Sequence, residues 1–376
     1  MSRAPHLHVI SPLPLQARTL RDPAALHGLV PDWRALEDRA RRVPIAVDLL
    51  DASDRLWTAP DVRAITVHAD DQLVAVWPLT VSRWGPVRIA QRLGGPLQAV
   101  DGLTLAADAP ARPVAQLAWA ELARWSDVDV VQLDALTVGD PLLDQPGLET
   151  WSQASHRTCR VRLHPGRDLL AGKSKQRRKA VRRRRRQLEA EGTVVFRRLT
   201  AAAEREQAVV EAIQAKLQWL DAQGAPAPVL RSAAFQDGLR AAAWLSPEQS
   251  RFEIFRLELD GRGVAWELGH VDGDTFRSFV GAYDGELARL GVGVTLTLET
   301  VAWCTRQGLR LYDFLPPVTP FKQSWADHER RIWRVVSPLR ARGRLVVPAV
   351  RDGRRLAKQA WQRLVPPEVA RAVLAG

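Results

Sequence analysis

The sequence predicts an α/β protein made of two similar halves, and three observations carry that expectation. Its length of 376 residues suits two domains of ordinary size. One order of elements is read twice along the chain: hairpin, third strand, glycine-bearing turn, helix, buried strand. Short strings also recur in matching places, DQLVAVW at Asp71–Trp77 against DGRGVAW at Asp260–Trp266, and QLDAL at Gln132–Leu136 against LYDFL at Leu311–Leu315. The matches keep the same order at similar separations, as a tandem duplication requires.

In the first half, Val62 to His68 and Gln72 to Val81 are β-rich runs parted by turn residues, which predicts a hairpin. A third strand fits Val87 to Leu93 and is ended by the glycines and proline of Gly94 to Pro96. Ala111 to Trp125 has helical apolar spacing through Val114, Leu117, Ala118, Leu122 and Trp125. The run VDVVQLDAL at Val128 to Leu136 reads as a strand buried on both faces.

The second half repeats the series. Phe252 to Gly261 and Val264 to Gly273 form the hairpin, and Thr275 to Asp284 the third strand. After Gly291 and Gly293, Val294 to Gln307 is helical by spacing, and Leu309 to Leu315 is the buried strand. Between the halves, Lys173 to Glu191 lacks a helix breaker until Gly192 and predicts one long helix. The expected divisions are therefore 1–165, 166–345 opening with that basic helix, and a basic helical tail over 346–376.

Composition narrows the class. With 46% hydrophobic and 26% charged residues the chain reads as globular. No run of eighteen apolar residues predicts a transmembrane helix, and the first thirty residues lack the apolar core of a secretory signal, so a cytoplasmic protein is expected. Cys159 and Cys304 stand far apart, which argues for neither a zinc site nor a disulfide framework, and no metal is expected.

Charge is concentrated. Lys173–Arg186 carries ten positive charges and no acid, and the stretch from Arg330 to the end adds a further net +10, so a chain of net +12 is net −8 elsewhere. Such patches attract phosphates on a cofactor, a nucleic acid or a membrane, or simply form solvated faces. No groove-reading element or zinc finger supports specific nucleic-acid recognition. Arginine outnumbers lysine 48 to six, so Lys216 and Lys322, the two lysines outside the basic stretches, draw attention, as do the only tyrosines, Tyr283 and Tyr312.

The element order resembles the acetyltransferase fold of the GNAT superfamily. From about Trp33 to Val336 the chain looks like bacterial CelD-like or BioF2-like acyltransferases, and more distantly like Fem-type aminoacyltransferases, which also carry two GNAT-like domains. The resemblance rests on LVAVWPL at Leu73–Leu79, RRRRRQLEAEG ending the basic run, KLQWL at Lys216–Leu220, AYDGEL at Ala282–Leu287, YDFLPP at Tyr312–Pro317 and FKQSW at Phe321–Trp325. It implies transfer from acetyl-CoA or another acyl-CoA to an amine or hydroxyl of a sugar or an envelope or exopolysaccharide precursor, with the second domain catalytic. Two alternatives stay open: a Fem-like aminoacyl-tRNA-dependent transferase, and a non-catalytic GNAT-fold subunit of a polysaccharide machine.

Acyl transfer from a thioester needs amides for the pyrophosphate, polarisation of the carbonyl, a base for the acceptor and a proton for the thiolate. Arg289, Gly291, Val292, Gly293 and Val294 open a helix and offer the phosphate cradle, although Arg289 stands one residue too near for the usual GNAT spacing. In Fem-type enzymes a Phe-Lys pair after the second domain's buried strand sits at the donor site, which resemblance carries to Phe321 and Lys322. Tyr283 is a candidate proton donor and Asp284 a candidate base. Asp313, inside an apolar strand, is either hydrogen-bonded structurally or functional with a shifted pKa, and its repeat partner Asp134 favours the former. Glu267, His270, Lys216, Trp219 and Trp325 are candidate substrate contacts, with surface exposure or helix packing as the plainer alternative.

Overall fold

The computed structural model describes residues 14–43, 47, 61–94, 100–145, 148, 152–245, 247–248 and 250–348. The first half holds β1 (Leu15–Leu20), α1 (Pro23–Asp38), β2 (Ala40–Arg42), β3 (Val62–Ala69), β4 (Gln72–Trp84), β5 (Val87–Arg92), β6 (Thr104–Ala106), α2 (Ala111–Ala123), β7 (Val130–Thr137) and β8 (Ser152–Arg162). The second holds α3 (Lys175–Glu191), β9 (Val194–Arg198), α4 (Ala202–Ala222), α5 (Ala233–Trp244), β10 (Phe252–Leu259), β11 (Arg262–Asp272), β12 (Thr275–Tyr283), α6 (Val292–Arg306), β13 (Leu311–Asp313), α7 (Pro320–Trp325) and β14 (His328–Pro338). The expected turn residues Gly95 and Pro96 and the basic tail beyond Pro348 lie outside the described residues.

All strands join one 14-stranded sheet in the order β1-β3-β4-β5-β7-β14-β8-β13-β12-β11-β10-β9, with β6 joining β2 to β4. The two halves share a GNAT-like plan. In each, an antiparallel hairpin turns through two residues, the first an aspartate in the left-handed region, Asp70 (φ 50°) and Asp260 (φ 49°). Aspartate tolerates that conformation because its short side chain bonds locally. Both hairpins carry a bulge beside the turn, after Val67 and after Leu257. The third strand then pairs in parallel with the buried strand beyond the helix, β5 with β7 and β12 with β13.

Two strands absent from the sequence reading, β8 and β14, join the halves. β14 pairs with β7 on one side and β8 on the other, and β8 in turn pairs with β13. Each half's buried strand is thus covered by a strand from the other half's stretch of chain, which leaves neither with a bare edge. The exchange carries matching ion pairs. Arg334 of β14 meets Asp134 of β7 at 2.8 Å, and Arg160 of β8 meets Asp313 of β13 at 2.8 Å.

Alternation along the strands decides which layer each face builds. Phe252 and Ile254 of β10 point to the core beneath α4 and α5, whereas Phe255 and Leu257 point to the core beneath α3 and α6. Arg205 of α4 is fully buried and donates to the carbonyls of Leu199, Phe252 and Ala243 at 3.2, 2.9 and 2.9 Å, tying α4 to α5 and β10. The first half has its own core around Trp33, Trp77 and Trp125. Among the described residues no helix is long and apolar enough to cross a membrane, and no His, Cys, Asp or Glu cluster could hold a metal ion.

Candidate active site

The site begins with a divergence of two strands. β12 and β13 pair only from Thr275 with Leu311 to Arg277 with Asp313. Immediately beyond, β12 carries a bulge: Leu268 faces Val280 and Gly269 faces Ser278, leaving Phe279 as the extra residue. A bulge bends its strand, and here β12 runs on to Tyr283 while β13 stops at Asp313. Past the bulge β12 no longer pairs with β13, and the chain beyond β13 continues as the segment from Phe314 to Trp325.

The far end of β12 leads to the start of α6. Asp284 caps a short 3₁₀ turn by accepting from the Glu286 amide at 3.0 Å, and Gly291 (φ 71°) takes the left-handed conformation that lets the chain enter α6. The helix therefore begins at Val292, two residues ahead of the sequence expectation. The amides of Val292, Gly293 and Val294 belong to the first turn, which has no intrahelical acceptor for them, and the dipole makes this end positive. A Cβ on Gly293 would lie 3.1 Å from the Tyr283 ring, so helix start and strand end adjoin. Arg184 of α3 packs over Gly291, bringing one arginine of the basic run to the cradle.

In this segment Leu315 is held in the left-handed region (φ 54°), its amide donating to Asp313 at 3.0 Å. The Lys322 ammonium reaches back from α7 and donates to the Leu315 carbonyl at 2.9 Å. Burial, with the nearby charge of Lys216 second, pulls the Lys322 pKa down to about 8. Lys216 is lowered by burial as well, and its ammonium lies 4.5 Å over the Trp219 ring. The two isolated lysines of the sequence thus feel each other across the same region. Aromatic rings brace the segment: Phe314 meets Phe321 at 6.2 Å, Phe321 meets Trp325 at 6.5 Å, and the Arg177 guanidinium of α3 lies 4.3 Å over Trp325.

Comparison with known proteins bears on this geometry. Residues 175–323, which span the bulged strand, the helix start and Lys322, match the family model described as an acetyltransferase (GNAT) domain. The protein is an acyltransferase. No curated protein sequence matches it. The fold is similar to the crystal structure of FemX, with a TM-score of 0.55 at 12% identity over 88% of this chain and 98% of that one. It is also similar to the C-terminal domain (DUF2156) of a candidate lysylphosphatidylglycerol synthetase from Agrobacterium fabrum, with a TM-score of 0.50 at 12% identity over 82% and 96%. At such identities these likenesses speak to the fold alone. The enzyme reading sets aside the expectation of a non-catalytic subunit.

Several sequence candidates have other employment in this acyltransferase. Asp313 is fully buried and engaged by Arg160 at 2.8 Å, Arg277 at 3.3 Å, the Thr158 hydroxyl and the Leu315 amide, so it holds the sheet and the turn instead of serving as a base. Asp284 combines its cap with an ion pair to the largely exposed Arg262 at 3.2 Å. Arg289 is three-quarters exposed and lies 3.8 Å from Glu191 at the end of α3. Glu267 is buried and accepts from the Tyr312 hydroxyl, and burial pushes its carboxyl up. His270 is buried where the halves meet, 3.3 Å from the Val43 carbonyl, and burial lowers its pKa to about 4. Neither is available as a surface contact for substrate. Arg177, Arg184 and Leu315 went unnoticed in the sequence: the arginines are hidden in a run of like residues, and a leucine gives no hint of a left-handed backbone.

Proposed function

We propose that the donor is an acyl-CoA, lying with its pyrophosphate on the amides of Val292, Gly293 and Val294 beside Arg184, and its thioester along β12 past the Phe279 bulge. The observation that carries this reading is the strand divergence opening directly onto a helix start with free amides and a basic side chain at its rim. The acceptor nucleophile attacks the thioester carbonyl, charge develops on its oxygen, and the thiolate leaves with a proton. Lys322, a half-buried ammonium, stabilises that developing charge, and Tyr283 at the strand end supplies the proton. Phe321 and Trp325 support the lysine, while Lys216 and Trp219 border the acceptor side. A sugar or envelope-precursor acceptor follows from the resemblance to CelD-like and BioF2-like enzymes.

Calorimetry with coenzyme A tests donor binding directly, and Lys322→Ala is expected to cut turnover about 10²-fold with donor affinity and melting temperature kept. Unchanged turnover removes Lys322 from the reaction. Since it acts protonated, the rate should fall as pH rises through about 8, and Lys322→Arg should move that limb upward. A second reading, aminoacyl transfer from charged tRNA, draws on α3, where Lys175, Lys179, Arg182 and Arg186 follow one another at helical spacing on an exposed face. Ribonuclease release of bound RNA, with no affinity for coenzyme A, is the result that favours it.

A further inference from the structure

Away from the proposed donor site two large apolar side chains face solvent, one of them at the tip of the β4–β5 hairpin. Trp84 is 49% exposed and Leu345, in the helical segment 341–348, is 83% exposed. They belong to one face. Trp84 pairs across the hairpin with Val87, and directly opposed residues project to the same side of a sheet. Val87 is itself buried against Val346 and Val347 of the segment. The segment is seated firmly: a Cβ on Gly343 would lie 2.1 Å from the Asp129 carbonyl oxygen, an approach only glycine allows, and Arg340 donates to the Ala123 carbonyl at 2.9 Å. The exposure of Leu345 is therefore built in, not the result of a fraying end.

The surrounding charge is predominantly positive, although the half-buried Asp129 lies beside Gly343 and accepts from the Arg88 amide at 2.9 Å. Arg83, Arg342 and Arg344 are exposed and make no ion pair among the described residues. The acids nearest the hairpin base, Asp61 and Asp127, are occupied by Arg63 and Arg88. Beyond residue 348 the chain adds six basic residues against Asp352 and Glu368. A tryptophan and a leucine standing out of a mainly basic rim match an anionic bilayer surface: the indole sits at headgroup depth, the leucine reaches the acyl boundary, and the arginines meet lipid phosphates.

We propose that the β4–β5 tip and the segment 341–348 form a docking face for anionic phospholipid membranes. Co-sedimentation of the full chain with phosphatidylcholine vesicles containing about one-third phosphatidylglycerol tests it. Binding is expected to such vesicles, to weaken with salt, and to be much poorer to pure phosphatidylcholine. The exposed pair Trp84→Ser and Leu345→Ser should lower binding about tenfold with an unchanged melting temperature. Arg342→Gln with Arg344→Gln should produce a smaller loss that disappears in high salt. Failure of the full chain to bind phosphatidylglycerol vesicles overturns the proposal. So does equal binding by the Trp84 and Leu345 double variant, which would assign the contact to α3 or the basic tail by charge alone.

Discussion

In the first half, β5 and β7 pair in parallel through Gln91 with Gln132, and β5 stops one residue later at Arg92; in the second, β12 continues from Ser278 to Tyr283 beyond its last pair with β13. The β4–β5 register is regular, whereas β11–β12 carries the Phe279 bulge. The helices differ at the same point. α2 opens with Ala111, Arg112 and Pro113, and the proline deletes one of the amides an anion would need, while α6 opens with Val292, Gly293 and Val294. No Phe-Lys pair follows β7. What the halves share, including the aspartate-turned hairpin and the aspartate to arginine pair across the exchanged strands, serves the fold. What only the second has (bulge, strand overhang, helix start without a proline, half-buried lysine) is the set the proposed acyl transfer would use.

The largest effect should fall on the shared feature. Asp313→Asn leaves Arg160 and Arg277 buried beside a neutral group and is expected to cost about 3–5 kcal/mol of stability in urea unfolding. The equivalent Asp134→Asn, at a site one-quarter exposed, should cost about 1 kcal/mol. Equal losses would mean that the two pairs are not graded by burial. A smaller and more selective effect comes from moving a difference between halves. Val294→Pro gives α6 the proline of α2 and should weaken coenzyme A binding about tenfold by removing one charged hydrogen bond, with Pro113→Val leaving binding as it was. If Val294→Pro binds normally, the helix start is not the phosphate site.

A further effect, read through pH, concerns the contact joining the halves. His270 has a folded pKa near 4 against 6.5 when exposed, so the unfolded chain binds the extra proton first and stability is lost as pH falls from about 6.5 towards 4. Buried Asp101, raised to about 6, works in the opposite sense over part of the same window, because its folded form holds the proton longer. The difference between the parent and His270→Asn isolates the histidine. The parent should lose about 2 kcal/mol more than the variant between pH 7 and pH 4.5. Parallel curves would show the imidazole to be solvated and the Val43 contact open.

The duplicated hairpins and the helices α2, α3 and α6 could be anticipated from the sequence because apolar periodicity and turn residues report them directly. β8 and β14 could not. Their residues alternate with arginines, as in SQASHRTCRVR and HERRIWRVVSP, and those charges fit a central strand only because Asp134 and Asp313 wait on neighbours remote in the chain. The same remoteness explains the site. Lys322 and the paired glycines stood out as rare or patterned residues, whereas the bulge at Phe279 leaves no mark in composition. The buried Asp313 drew notice for the right physical reason, the cost of an unpaired carboxylate, and its four polar partners became visible only with the strands in place.

The exchange of β8 and β14 also bears on how such a protein can be inherited or taken apart. A gene trimmed to the second copy alone would encode a fragment lacking the neighbour of β13, with β14 left no β7 to lie on. The copy with no cradle of its own is then the other's scaffolding, and the smallest viable unit is the pair.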